Sequence, residues 1–314
     1  MSRVDLADGV LAGDSRAVAR AISMVEDGAE GLRELSAALF PRTGHAYTIG
    51  LTGSPGVGKS TLAGALVRAI RRRELDVAVL AIDPTSPFTG GALLGDRLRM
   101  QDHATDPGVF IRSMATRGHL GGMALAAPEA VRILDASGKD VVIVETVGVG
   151  QAEVDVAAAT DTTLVVVSPG WGDAVQVAKA GILEIADVFV VNKADLSGAA
   201  AAARDLLQMT RMGPELTWSP PVVQVSAAAS EGIDELWEQI SNHRSHLEAS
   251  GELMTRRRDR LLREVEGLAG ERLRWRVHHL LREDADLAGR LADRRIDPYR
   301  AAAILMEQAT DGTA

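Results

Sequence analysis

The stretch Gly53-Ser54-Pro55-Gly56-Val57-Gly58-Lys59-Ser60 narrows what this chain can fold into more than any other. It fits G-x-x-x-x-G-K-[ST], the loop that cradles phosphates between a strand and a helix. Its flanks agree: Tyr47–Leu51 reads as a strand and Thr61–Arg72 as a helix. Glycines let backbone amides turn inward where side chains would obstruct them, and the helix N-terminus adds partial positive charge. In this pattern Lys59 reaches the β- and γ-phosphates, the Ser60 hydroxyl ligates Mg²⁺, and Thr61 lies near the α-phosphate. The competing explanation is a chance Gly-rich turn, which accounts for neither the Lys-Ser pair nor the strand–loop–helix context. The motif implies a nucleoside triphosphate and leaves the base open.

The same alternation runs along the chain. Runs rich in β-formers at Tyr47–Leu51, Val77–Ile82, Val109–Ile111, Val141–Val144, Thr163–Val167, Val188–Val191 and Val222–Val225 are separated by helical stretches. Several are apolar throughout, as strands covered on both faces are. The pattern predicts an α/β fold: a P-loop NTPase domain over 46–245 with a mostly parallel central sheet flanked by helices. A helical N-terminal extension is predicted over 1–45. Val10, Leu11, Val18, Ala21, Ile22 and Val25 carry its first part, and a short helix from Gly31 to Phe40 stops at Pro41. Residues 231–248 read as one more helix, and a helical C-terminal region over 246–314 follows. Residues 252–283 there read as one long charged helix with Leu253, Leu261, Leu262, Val265, Leu268, Leu273 and Val277 as apolar positions. A last helix near Pro298 carries Ala301–Met306.

Asn192-Lys193-Ala194-Asp195 follows the strand Val188–Val191 and fits N-K-x-D. Guanine offers a ring N–H and an exocyclic NH₂ side by side, and one carboxylate, Asp195, can accept both. Adenine presents a lone pair at that ring nitrogen, so the same carboxylate would reject it. Lys193 would lie across the base and Asn192 would brace the loops. Ser226-Ala227-Ala228, at the end of the next strand, suits a second base loop whose amides bind the guanine carbonyl. The bland alternative for Asn192–Asp195 is a capped turn into the next helix.

Strand Val141–Val144 ends in Glu145-Thr146-Val147-Gly148. Glu145 can hold a Mg²⁺-bound water, and the Gly148 amide can reach the γ-phosphate. Gln151 can orient the attacking water, or simply be solvated. Asp83 ends another apolar run ahead of Pro84, and Asp96 sits in a Gly-rich stretch. Both can converge on the metal, which uses few carboxylates and keeps several waters. A turn residue and a helix cap are their ordinary alternatives. Arg97, Arg112 and Arg117 are the candidates for an arginine finger.

Composition sets the outer bounds. Of 314 residues, 46% are hydrophobic and 25% charged, which predicts a globular chain. A formal net charge of −9 argues against general nucleic-acid binding. The absence of cysteine removes disulfides, Cys-ligated zinc and iron–sulfur clusters, and suits a cytoplasmic location. Neither a secretory signal nor an apolar run long enough to cross a membrane is expected.

Together these pieces resemble the MeaB/ArgK family of P-loop GTPases. The likeness is carried by Thr52–Thr61, Ile82-Asp83-Pro84-Thr85-Ser86, Thr89-Gly90-Gly91, Leu94-Gly95-Asp96-Arg97, Arg112-Ser113-Met114, Arg117–Gly122, Glu145–Gln151 and Asn192–Asp195. The resemblance implies a GTP-hydrolysing chaperone of an adenosylcobalamin-dependent acyl-CoA mutase, methylmalonyl-CoA mutase or a relative. It also implies a homodimer joined through C-terminal helices, and Mg²⁺ and switch roles for Asp83, Asp96 and Glu145. A segment implied to couple the GTPase to the mutase corresponds to Pro169–Gly181. It departs from the family pattern at Ala174, Val177 and Ala180, which leaves the identity of the mutase open. Three rival readings remain: a nickel or zinc metallochaperone GTPase, a P-loop small-molecule kinase, and a dimeric scaffold with a structural nucleotide site.

Overall fold

The computed structural model describes residues 3–84, 105–116, 123–146, 156, 158–170, 185–212 and 217–311. Asp96, Gly148, Gln151, Arg97 and Arg117, and most of the coupling segment, lie outside the described residues.

Seven strands form one sheet: β1 (Tyr47–Thr52), β2 (Val77–Pro84), β3 (Val109–Thr116), β4 (Val141–Thr146), β5 (Thr162–Val167), β6 (Val188–Val191) and β7 (Val222–Gln224). Their order is β3-β2-β4-β1-β5-β6-β7, and every pair is parallel. Residues of β1, β4, β5 and β6 are buried throughout, which explains their lack of polar alternation. β2 and β3 run past their apolar stretches because their register continues to Pro84 opposite Thr116.

Helices cover both faces. Helix α4 (Lys59–Arg71), α5 (Met123–Ala136), α6 (Ala199–Met212) and α7 (Ile233–Ser250) follow strands or loops of the sheet. Leu62, Leu66 and Ile70 of α4 and Leu236, Ile240 and Leu247 of α7 pack on Ile49, Leu51, Val79 and Leu164. The other face is roofed by α5 and the N-terminal helices α1 (Arg3–Leu11), α2 (Ser15–Asp27) and α3 (Leu32–Leu39). α2 is amphipathic because Val18, Ala21, Ile22 and Val25 share one side. Asp14 caps it, accepting from the Ala17 amide at 2.7 Å. The N-terminal helices therefore share a core with β2, β3 and β4. Arg112 of β3 is ion-paired with Glu26 of α2 at 2.6 Å and donates to Ser23. In this arrangement it fastens α2 to the sheet edge and is not a finger.

The C-terminal region is α8 (Glu252–Glu283), α9 (Ala285–Ala292) and α10 (Pro298–Asp311). The long helix has the expected bounds; α9 was not expected. Val277, Leu280 and Leu281 of α8 pack with Leu287, Ile296, Ala301 and Leu305 in a small core of their own. Of its apolar positions, Leu261, Leu262, Val265 and Leu268 are exposed. The side that α8 turns to the domain is mainly charged.

Three arginines on that side reach two carboxylates at the amino ends of β5 and β6. Arg257 and Arg260 pair with Asp161 at 2.7 and 3.0 Å, and Arg256 pairs with Asp187 at 3.0 Å. His243 of α7 sits between Thr162 (Nδ1 to Oγ1, 2.8 Å) and Asp187 (Nε2 to Oδ1, 3.2 Å). Further along α8, Glu264 pairs with Arg132 of α5. Burial pushes the Asp161 carboxyl up, but the Arg257 hydrogen bond and the charges of Arg260 and Arg257 outweigh it and hold the group below the usual range. Asp187 is also held low: burial raises it, and His243 and Arg256 more than offset that.

Candidate functional site

The site forms where β1, β4, β5 and β6 end, the usual place for ligands on a parallel sheet. β1 stops at Thr52, the loop turns over residues 53–58, and α4 starts at Lys59. Two glycines are required by geometry. Gly53 has φ +136°, and a Cβ there would collide with the Val166 carbonyl of β5. Gly58 has φ +96°, and a Cβ there would strike the Asn192 side-chain amide. The second contact ties the phosphate motif to the base motif, 134 residues away along the chain.

Lys59 and Ser60 are both buried. The Lys59 ammonium donates to the carbonyls of Gly53 (2.5 Å) and Ser54 (3.1 Å), so the cation is held against its own loop. The Ser60 hydroxyl donates to Glu145 Oε1 at 2.6 Å. The parallel register explains this approach: Leu51 of β1 is level with Glu145 of β4. Glu145 is only 3% exposed, so the contact places a carboxylate in a water-poor position at the N-terminus of α4. Thr61 follows, half-buried. The backbone of Asp83 lies near the end of β2, one residue beyond the Ile82–Thr146 pairing.

The base loops are interlocked. Asn192 Nδ2 donates to the Val57 carbonyl at 2.8 Å, and Asn192 Oδ1 accepts from the Ala227 amide at 3.1 Å. One side chain thus bridges the phosphate loop and both base loops. Lys193 takes φ +58° and its ammonium donates to the Gly56 carbonyl at 2.9 Å. The left-handed turn at Lys193 costs some backbone strain, and the Gly56 contact accompanies it. Asp195 is exposed, and its Oδ1 accepts from the Ser226 hydroxyl at 2.7 Å. The sequence reading assigned only backbone amides to Ser226, Ala227 and Ala228, and so missed this contact. A serine at the strand end was its sole signal. Ala228 is exposed.

The structure thus brings together the 53–60 loop, Glu145, Asn192, Lys193, Asp195, Ser226 and Ala227. Residues 18–280 match the family described as methylmalonyl Co-A mutase-associated GTPase MeaB. The chain belongs to the MeaB family of P-loop GTPases. It is 49% identical to a putative GTPase of Pyrococcus abyssi, over 98% of this chain and 97% of that one. It is 33% identical to the mitochondrial methylmalonic aciduria type A homolog of Mus musculus, over 95% of this chain and 77% of that protein. A solved structure described as a LAO/AO transport system kinase superposes with a TM-score of 0.73 at 28% identity, covering 97% and 96% of the two chains. As a member of this family the protein binds guanine nucleotide and hydrolyses GTP. No helix among the described residues is long and apolar enough to cross a membrane.

Proposed function

We propose that this GTPase couples GTP hydrolysis to the care of an adenosylcobalamin-dependent acyl-CoA mutase, gating cofactor loading and reactivation. The observation that carries the nucleotide part is the Asn192 bridge. It holds the loop that contacts phosphates and the loops that read the base as one unit, with Asp195 steadied by Ser226. The client is supported by the family's description and by the mouse relative's name, both of which point to methylmalonyl chemistry.

In this reading residues 53–58 and Lys59 bind the phosphates, Thr61 adjoins the α-phosphate, and the Gly148 amide meets the γ-phosphate. Asn192, Lys193, Asp195 and Ser226–Ala228 bind guanine, and Gln151 orients the attacking water. Ser60 and Glu145 form an oxygen-only pair at a helix N-terminus, a donor set that fits a hard cation such as Mg²⁺, with Asp83 and Asp96 as further acids. When bound, the cation would neutralise charge on the phosphate oxygens. Lys59 moves from its own loop carbonyls onto the β- and γ-phosphates, and backbone amides stabilise the charge that spreads as water attacks in line. Asp195 supports hydrolysis of a guanine nucleotide over small-molecule kinase chemistry, because it reads a base.

We further read residues 1–45, 46–245 and 246–314 as extension, GTPase domain and dimerisation region of a cytoplasmic homodimer. The exposed apolar residues of α8 support the dimer, and the cysteine-free composition suits the compartment. GTP turnover measured with and without an adenosylcobalamin-dependent acyl-CoA mutase from the same organism tests the role. Turnover should rise with the mutase; equal rates with several such mutases would overturn the chaperone reading and leave the GTPase standing.

A further inference from the structure

Over the first turns of α8 a cavity of about 350 Å³ opens between that helix, α5 and the turn that follows α3. Its apolar lining has two parts: Ala46, Val131 and Ala159 are buried, while Phe40, Met254 and Leu261 are exposed at the mouth. Its charged lining, among the described residues, is four arginines and three carboxylates. Each carboxylate is already committed. Asp161 accepts from Arg257, Arg260 and the Thr48 amide. Asp135 accepts from the amides of Gly44, His45 and Ala46. Glu264 takes both branches of the Arg132 guanidinium. Three of the arginines are committed by the same contacts, and Arg258 is the exception. Among the described residues it pairs with its chain neighbour Asp259 at 3.1 Å, where the two side chains are 69% and 50% exposed. A solvated pair of that kind holds an arginine weakly.

We propose that this cavity is a second ligand site, separate from the nucleotide site, for a medium-chain carboxylate. The tail lies among Val131, Ala159, Phe40 and Leu261, and the carboxylate meets the Arg258 guanidinium at the mouth. Charge selects this guest. A cation would meet guanidinium groups, because every carboxylate of the lining is held by arginines or backbone amides. A carboxylate matches the planar guanidinium fork with two parallel N–H···O bonds. It displaces nothing but the exposed Asp259 contact. An uncharged apolar guest would gain the tail contacts alone. Volume sets the size: the cavity stands at the small end of ligand sites and suits a single chain of about eight carbons. α5, α8 and the turn after α3 of one chain supply the walls, so the inference depends on neither the client nor the homodimer reading. The guest bridges α5 to α8 beside the Asp161–Arg257–Arg260 cluster and so adds to what holds the long helix on the domain.

Isothermal titration calorimetry on the full chain, with hexanoate, octanoate and decanoate as probes, tests this. Octanoate should bind at one site per chain and raise the thermal unfolding midpoint. Affinity should rise about fourfold per added methylene until the cavity is filled, and then level off. Octylamine, with the same tail and the opposite charge, should bind at least about tenfold more weakly. Arg258→Ala should weaken octanoate about tenfold, and Arg258→Glu should invert the preference so that octylamine binds better than octanoate. Arg258 is exposed, so both variants should fold and bind GTP as the parent does. Three results would overturn the site. One is no saturable heat and no thermal shift with any of the three acids. Another is equal binding of octanoate and octylamine by the parent and by Arg258→Glu. The third is affinity that climbs with chain length without levelling and ignores Arg258, which marks adsorption to the exposed apolar surface of α8.

Discussion

The two ends of the parallel sheet are built by opposite rules. At the amino ends of β5 and β6, Asp161 and Asp187 are saturated by Arg257, Arg260, Arg256 and His243, and these contacts fix where α8 leaves the domain. At the carboxyl ends, Lys59, Ser60, Glu145 and Asp195 make short contacts to neighbouring loop and strand groups. A phosphate, a cation or a base can replace each of those contacts with a stronger one. The base spends its charges on geometry, and the top keeps them exchangeable. The same buried strands link a rigid anchor to an adaptable site.

The sharpest way to break this comparison is Asp161→Asn. It leaves Arg257 and Arg260, both mostly buried, without their counter-charge. Removing one partner of a buried ion cluster costs roughly 3–5 kcal/mol, so chemical denaturation should show a loss of that size. GTP affinity of the folded fraction should stay within about twofold, since the cluster lies at the far end of the strands. Acid should reproduce the effect. Asp161 and Asp187 have folded-state pKa values below the ordinary one. Their stabilisation is therefore complete above the unfolded value of about 4 and is lost as pH falls below it toward the folded values. Asp161→Asn should flatten the pH dependence of unfolding below about pH 4. An unchanged acid profile would show that the cluster does not anchor the domain.

At the other end, Lys59→Ala should lower GTP turnover by about 10²–10³, the cost of losing one preorganised donor to the transition state. Single-turnover kinetics at saturating nucleotide check this, and denaturation should show a smaller loss than Asp161→Asn. If the two variants exchange effects, the division between anchor and exchangeable site is wrong.

The top of the sheet was legible in the sequence and the base was not, for a physical reason. Phosphate and base recognition need particular residues at fixed spacing beside a strand end, so Gly53–Ser60, Glu145 and Asn192–Asp195 stand out on the linear chain. The strands were visible because two-sided burial demands unbroken apolar runs, as in Val141–Val144. The anchor joins Asp161, Asp187, His243 and Arg257, which are distant in sequence and ordinary as residue types, and only the fold brings them together. The exposure of apolar side chains on α8 was not legible for a related reason. Apolar residues at helical spacing look alike whether they face their own core or solvent, so the spacing of Leu261, Val265 and Leu268 marked them as apolar positions of the helix and left open what they face.

Asp195→Asn probes the exchangeable end more gently. It replaces one charged acceptor by an amide that can accept only one of guanine's two donors. Hydrogen bonds to charged groups contribute about 1.5–3 kcal/mol, so GTP and GDP affinity should fall about 10–100-fold, with turnover at saturation nearly unchanged. Competition by xanthosine triphosphate should improve, because xanthine offers a carbonyl where guanine has its amino group. Unchanged preference for guanine would remove Asp195 as the base reader.

The smallest effect tests whether the top is organised before nucleotide arrives. The Ser226 hydroxyl donates to Asp195 Oδ1 at 2.7 Å, while Asn192 ties the same loop through the Ala227 amide. If Ser226 only fills space, Ser226→Ala leaves nucleotide affinity unchanged. If it holds the carboxylate in its accepting orientation, affinity falls by the net value of one hydrogen bond, about 0.5–1.5 kcal/mol or roughly 2–10-fold. Because both residues then act through one contact, Ser226→Ala should have no further effect in an Asp195→Ala background, and a double-mutant cycle reads that coupling directly. Additive losses would mean that Asp195 is aimed by the Asn192 bridge alone. The exchangeable end would then need no side-chain positioning of its own, and its contrast with the anchored base would be sharper still.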